Sequence, residues 1–139
     1  MARTAVEVDP RLIAFVLPST PESVRTARFH VRAALGFHGL DNYAEDTAII
    51  TSELVTNAVQ HVRSDGTETI GVTLARAWNP PAVTVVVSDS SPDGPRRCDP
   101  SADRGQGRGL QIVEALSAHW GWQPQDGGKA VFAVLAQKA

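Results

Sequence analysis

At 139 residues the chain is one domain's worth of sequence, and 42% hydrophobic with 20% charged residues is the composition of a folded soluble protein. A net charge of −2, with 11 Arg against 2 Lys, provides no basic face for direct nucleic-acid binding. The longest uncharged apolar run, Ala82 to Val87, falls far short of the ~20 residues that cross a bilayer. The chain opens with no signal-peptide pattern, and its single cysteine, Cys98, forms no intrachain disulfide and belongs to no zinc cluster. A cytoplasmic location is the expectation.

Residues 1–10 read as a tail, and 11–137 as the domain. Leu12 to Leu17 is a short apolar run stopped by Pro18, which predicts an edge strand. Ser19 or Thr20 can cap a helix that has Pro21 in its first position and Glu22 in its first turn. Val24, Ala27, Val31, Ala34 and Leu35 keep helical spacing to about Leu35, and Gly36 and Gly39 end it. Asp41 or Asn42 caps a second helix, with Glu45 placed as in a capping box. Its apolar set runs from Ala44 to Val62. Ser64-Asp65-Gly66 is a turn, and Ile70, Val72 and Leu74 alternate as in a half-buried strand.

Asn79-Pro80-Pro81 turns the chain into a second, more buried strand, Ala82 to Val87, and the two are expected to pair as a hairpin. The stretch Asp89 to Gln106 is long for a connection in a compact domain, as functional loops are. A helix is predicted from Gly107 to about Ala118, then a strand from His119 to Pro124, the turn Asp126-Gly127-Gly128 and a last strand from Ala130 to Leu135. This order, β-α-α-β-β-loop-α-β-β, predicts a two-layer α+β sandwich.

Three segments carry chemistry. On the second helix, Glu53, Asn57 and His61 follow at i, i+4 and i+8. With about 100° per residue they lie at roughly 0°, 40° and 80°, on the border between the apolar arc and the polar one. A carboxamide oxygen is a hard ligand suited to Mg²⁺, and a carboxylate one turn earlier can polarise a hydroxyl that attacks a phosphate. On spacing alone, a solvated helix edge is the commoner cause of such a row. The second segment is Asp89, at the mouth of a buried strand. It can accept from an exocyclic amine such as that of adenine, or simply cap the turn that follows. The third is Gly105-Gln106-Gly107-Arg108-Gly109-Leu110, which opens a helix. Its bare backbone and the helix N-terminus form a phosphate cradle, or a hinge to a lid.

The order and separation of these segments resemble the GHKL family, the histidine-kinase-type ATPases of the Bergerat fold. Ser52 to His61, Asp89-Ser90-Ser91-Pro92, Gly107 to Leu110, Trp120-Gly121 and Gly127-Gly128-Lys129 look most like the actinobacterial anti-sigma-factor serine/threonine kinases and ATP-binding regulators. The resemblance covers residues 12–136. It implies a mixed sheet of about five strands with three helices on one face, and ATP and Mg²⁺ as cofactors. Glu53 matches the catalytic base, Asn57 the magnesium ligand and Asp89 the adenine-reading aspartate. His61, Gly94, Gly105, Gly107, Arg108, Gly109 and Leu110 fall in the nucleotide-binding segments, and Asp89 to Gln106 covers the ATP lid. The implied activity is phosphorylation of a serine on an anti-anti-sigma (STAS-type) partner, with a sigma factor as a second partner and a homodimer as the form often taken. The alternative is a nucleotide-sensing or protein-binding regulator without phosphotransfer.

The chain also departs from the wider family. Ser91 and Asp93 stand where that family has glycines, with Gly94 one place late. Ala130 stands at the place of a common Thr, so a hydroxyl contact near the adenine is expected to be missing. Trp120 and Trp122 share a strand face, which predicts core packing first and a partner surface second. Arg96, Arg97 and Arg104 lie in the lid region, where they can reach phosphates or remain solvated. Cys98, His30, His38 and His119 have no assigned role.

Overall fold

A computed structural model describes residues 10–61, 68–91 and 109–136. The elements are β1 (Arg11–Pro18), α1 (Glu22–Phe37), a 3₁₀ turn (Asp41–Tyr43), α2 (Ala44–His61), β2 (Thr69–Trp78), β3 (Pro81–Asp89), α3 (Gly109–Leu116), β4 (His119–Gln125) and β5 (Gly128–Ala136). The order expected from the sequence is the order found, as a five-stranded sheet with three helices. The elements run slightly longer than predicted at most ends. Neither expected helix start forms a side-chain cap. Ser23 Oγ instead donates to the carbonyl of Pro18, and the 3₁₀ turn leads into α2.

α1 closes where Gly39 takes a positive φ of 72°, which lets the Leu40 amide reach back to the Leu35 carbonyl at 2.8 Å. α1 buries Ala27, Val31, Ala34 and Leu35, the stripe its periodicity predicts. Arg28 of α1 donates to Ser52 Oγ of α2 at 3.3 Å, and Arg32 meets Glu45 at the surface at 3.5 Å.

The strand order is β1-β2-β3-β5-β4, and every neighbouring pair is antiparallel. The expected mixed sheet is therefore corrected to an antiparallel one, for a topological reason. Two helices separate β1 from β2 and return the chain in the opposite sense. One helix separates β3 from β4, so these two run in the same direction, but the tight β4–β5 hairpin inserts β5 between them. Asp126-Gly127 makes that hairpin, with Gly127 at φ 77°.

One face of the sheet carries Ile70, Val72, Leu74, Val83, Val85, Val87, Val131, Ala133 and Leu135, all buried. The helices cover this face and add Val31, Leu35, Ile50, Leu54, Val55 and Val113. Burial of each such valine, leucine or isoleucine side chain contributes about 1.5–3 kcal/mol before chain entropy is counted. The two tryptophans divide. Trp120 packs against the core, whereas Trp122 is 42% exposed near the edge of the sheet. No helix among the described residues is long and apolar enough to cross a membrane.

Candidate functional site

α2 is the wall of the site. Leu54, Val55 and Ala58 are buried beneath it and Gln60 is exposed, while Glu53 and Asn57 are half-buried. The helical period thus places both side chains on the border, as the wheel predicts. Asn57 Oδ1 is buried and has no hydrogen-bond partner among the described residues. A carboxamide oxygen in that condition costs free energy unless a ligand satisfies it. It is the hard, neutral oxygen that Mg²⁺ accepts, so the residue fits the metal role. Among the described residues no cluster of three His, Cys, Asp or Glu side chains forms a metal site. A one-oxygen site, completed by phosphates and water, needs none.

Glu53 projects from the same face toward α3. A Cβ on Gly109, the first residue of α3, would lie 2.9 Å from Glu53 Oε2. Glycine there lets the carboxylate approach the start of the helix. Burial raises the pKa of Glu53, because the half-buried carboxylate has lost part of its hydration. A carboxylate made more basic in this way is better suited to take a proton from a hydroxyl. Leu110, the next residue, is buried and anchors the helix start.

The second group of expected site residues stands on strands. Val83, Val85 and Val87 of β3 point to the core and pair with Leu135, Ala133 and Val131 of β5. The next inward rung is Asp89 opposite Lys129. The Lys129 ammonium donates to Asp89 Oδ1 at 3.0 Å and lies 2.9 Å from Oδ2, and both side chains are closed off from solvent. Oδ1 also accepts the Ser91 amide at 2.8 Å. Asp89 therefore caps its turn, the simpler role open to it from the sequence. Its second oxygen keeps only the ion contact with Lys129, off the direction of a hydrogen bond, and is buried. Oδ2 is thus a buried acceptor without a hydrogen bond, the kind of atom the adenine role calls for.

This rung corrects the expectation for Ala130. The residue opposite Asp89 is Lys129, and Ala130 pairs with Ser88, one register step away. A step of one residue turns a side chain to the other face of the sheet. A missing hydroxyl at Ala130 therefore takes nothing from the face that carries Asp89. Sequence reasoning missed Lys129. The available signal was a lysine in the inward phase of the strand, in step with Val131, Ala133 and Leu135.

Gly128 completes this end. A Cβ there would lie 1.8 Å from the Asp89 carbonyl oxygen, so the two backbones meet only because the residue is glycine. Of the other expected site residues, Gly94, Gly105, Gly107 and Arg108 lie outside the described residues, as do Arg96, Arg97, Cys98 and Arg104. His61 ends α2, but its side chain is not among those described.

In solved structures, the chain is similar to the histidine kinase domain of the Erythrobacter litoralis EL346 blue-light activated histidine kinase. The match has 20% identity and a TM-score of 0.49, over 81% of this chain and 60% of that domain. The chain therefore spans less than two thirds of that domain's length, and so loose a likeness carries no functional argument. No curated sequence matches the chain. The sequence model of the histidine kinase-like ATPase domain matches residues 17–135, nearly the whole chain, and the chain therefore belongs to that family.

Proposed function

We propose that the protein is a cytoplasmic, ATP- and Mg²⁺-dependent serine/threonine protein kinase that acts as an anti-sigma factor or a related transcriptional switch. Its substrate is a serine on an anti-anti-sigma (STAS-type) partner, and a sigma factor is its second partner. The observation that carries this reading is the α2 row: Glu53, its pKa raised by burial, one turn from the unsatisfied Asn57 Oδ1. A residue that accepts the hydroxyl proton and a metal ligand are recurring parts of phosphoryl-transfer sites.

Glu53 takes the proton from the partner's serine hydroxyl as that oxygen bonds to the γ-phosphorus and the bond to the β-phosphate oxygen breaks. Asn57 holds Mg²⁺, which supplies neutralisation of phosphate charge when bound. Asp89 accepts from the adenine amine and fixes the nucleotide's orientation. Gly109 leaves room for Glu53 beside the helix start.

The test is incubation with labelled ATP, Mg²⁺ and an anti-anti-sigma domain, comparing the wild-type chain with Glu53→Gln. Transfer should fall by about 10²–10⁴-fold, the usual contribution of a positioned base, with ATP affinity retained. Transfer that survives the substitution unchanged removes Glu53 from the role.

A nucleotide-sensing regulator without phosphotransfer is the second reading. One observation favours it: Ser91 and Asp93 stand where the wider family has glycines. Calorimetric ATP binding with no transfer to any anti-anti-sigma domain would select it.

A further inference from the structure

Lys129 is the largest fully buried side chain among the described residues. A buried ammonium group is costly unless it is paired, and a buried pair is often no more stable than the apolar side chains that could replace it. The three inward rungs beside this one, Val87–Val131, Val85–Ala133 and Val83–Leu135, are apolar. The ladder could have ended in the same way. It ends instead in a charge pair, on the carboxylate assigned to the base. That placement asks for a reason other than stability.

The contacts of Asp89 supply one. The Lys129 ammonium lies against both oxygens and the Ser91 amide donates to Oδ1, so the plane of the carboxylate is held from two sides. Oδ2 is left without a hydrogen bond. With an ammonium group against both oxygens, the carboxylate offers acceptors and no donor. A purine with a 6-amino group presents N–H to such an acceptor. A 6-oxo purine presents a lone pair, which the same acceptor repels.

We propose that Lys129 is a positioning residue that sets base specificity. It holds Asp89 as an oriented, donor-free acceptor and so restricts the cleft to purine nucleotides carrying a 6-amino group. The proposal rests on the nucleotide-site reading above. Lys129 acts through Asp89 and need not touch the base.

The experiment is calorimetric titration of the full chain with ATP and with ITP, each with Mg²⁺, for the wild type and Lys129→Met. The wild type should prefer ATP by roughly ten- to a hundredfold, the range of a hydrogen bond to a charged group. In Lys129→Met the carboxyl group loses the ammonium group that orients it. It no longer presents a fixed acceptor to the base, so the ATP-to-ITP ratio should fall toward one. A purely structural lysine would weaken both nucleotides alike and leave the ratio unchanged. An unchanged ratio in the folded variant overturns the proposal, as does a wild type that binds ATP and ITP equally. If circular dichroism shows that Lys129→Met is unfolded, Lys129→Gln, with a neutral amide in place of the ammonium group, carries the same comparison. A wild type that binds neither nucleotide fails differently: the nucleotide site itself is then wrong, and the proposal falls with it.

Discussion

On the proposed reading, the base end and the phosphate end of the nucleotide site are built on opposite principles. At the base end, Asp89, Lys129 and Gly128 belong to adjacent strands, and the charges cancel within the protein. At the phosphate end, Glu53 and Asn57 stand on one helix, partly desolvated, with the buried Asn57 oxygen unsatisfied. The first end balances its charges internally and leaves one acceptor, Asp89 Oδ2, without a hydrogen bond. The second carries free-energy costs that only a ligand or a proton relieves. Proteins concentrate such violations of good packing where they function. Changes at the base end should therefore destabilise the fold, and changes at the phosphate end should stabilise it while removing activity.

The largest expected effect is at Gly128. The Cβ of Gly128→Ala would overlap the Asp89 carbonyl, a backbone atom that cannot swing aside. β5 must then separate from β3 at that rung. A loss of about 4 kcal/mol or more is expected, at the extreme of single substitutions. Denaturant melts monitored by circular dichroism measure it. A loss below about 1 kcal/mol would mean that the strands do not meet as described.

Next comes the ion pair. Breaking a buried pair by removing one partner costs about 3–5 kcal/mol, so Lys129→Met should be strongly destabilised. Asp89→Asn/Lys129→Met leaves no unpaired charge and should recover most of that loss. The double-mutant cycle separates the pair from general packing. If the coupling is no larger than the ~0–1 kcal/mol of a surface pair, the contrast between the two ends disappears.

The phosphate end was the more legible in the sequence. Glu53 and Asn57 are four residues apart on one helix, so a local period of 3.6 is enough to set them on the same border. Asp89 was visible as the polar end of an apolar strand. Its partner was not, because Lys129 is 40 residues further along. Which residue of the last strand meets Asp89 depends on a register that only the assembled sheet fixes, and an error of one residue exchanges Lys129 for Ala130. The antiparallel sheet was hidden for a similar reason. Insertion of β5 between β3 and β4 depends on where a hairpin docks, and no local pattern records that.

At the phosphate end the sign should reverse. Asn57→Leu removes a buried acceptor that has no partner and replaces it with a good helix former. The nucleotide-free chain should gain about 1 kcal/mol, seen as a rise of a few degrees in Tm. Mg²⁺-dependent nucleotide binding should be lost together with that gain. A variant that is less stable than the wild type would show that Asn57 serves the fold rather than a ligand.

The smallest effect is the most diagnostic, because its sign follows from linkage. Burial holds the pKa of Glu53 in the fold above its value in the unfolded chain. The folded state therefore binds this proton more tightly. The protonated form adds stability that is fully present below the unfolded pKa and is lost as pH rises through the folded one. Above its raised pKa Glu53 is ionised and carries its desolvation cost. Glu53→Gln should then melt slightly above the wild type on the alkaline side of that pKa, and the difference should shrink as pH falls toward the ordinary glutamate range. Subtracting one melting series from the other cancels the remaining carboxylates, which are common to both. Phosphotransfer should move the opposite way, failing in the wild type as pH falls through the same raised pKa. A Tm difference that grows on acidification would mean that Glu53 is held as an anion by a partner. The two ends of the nucleotide site would then be built alike.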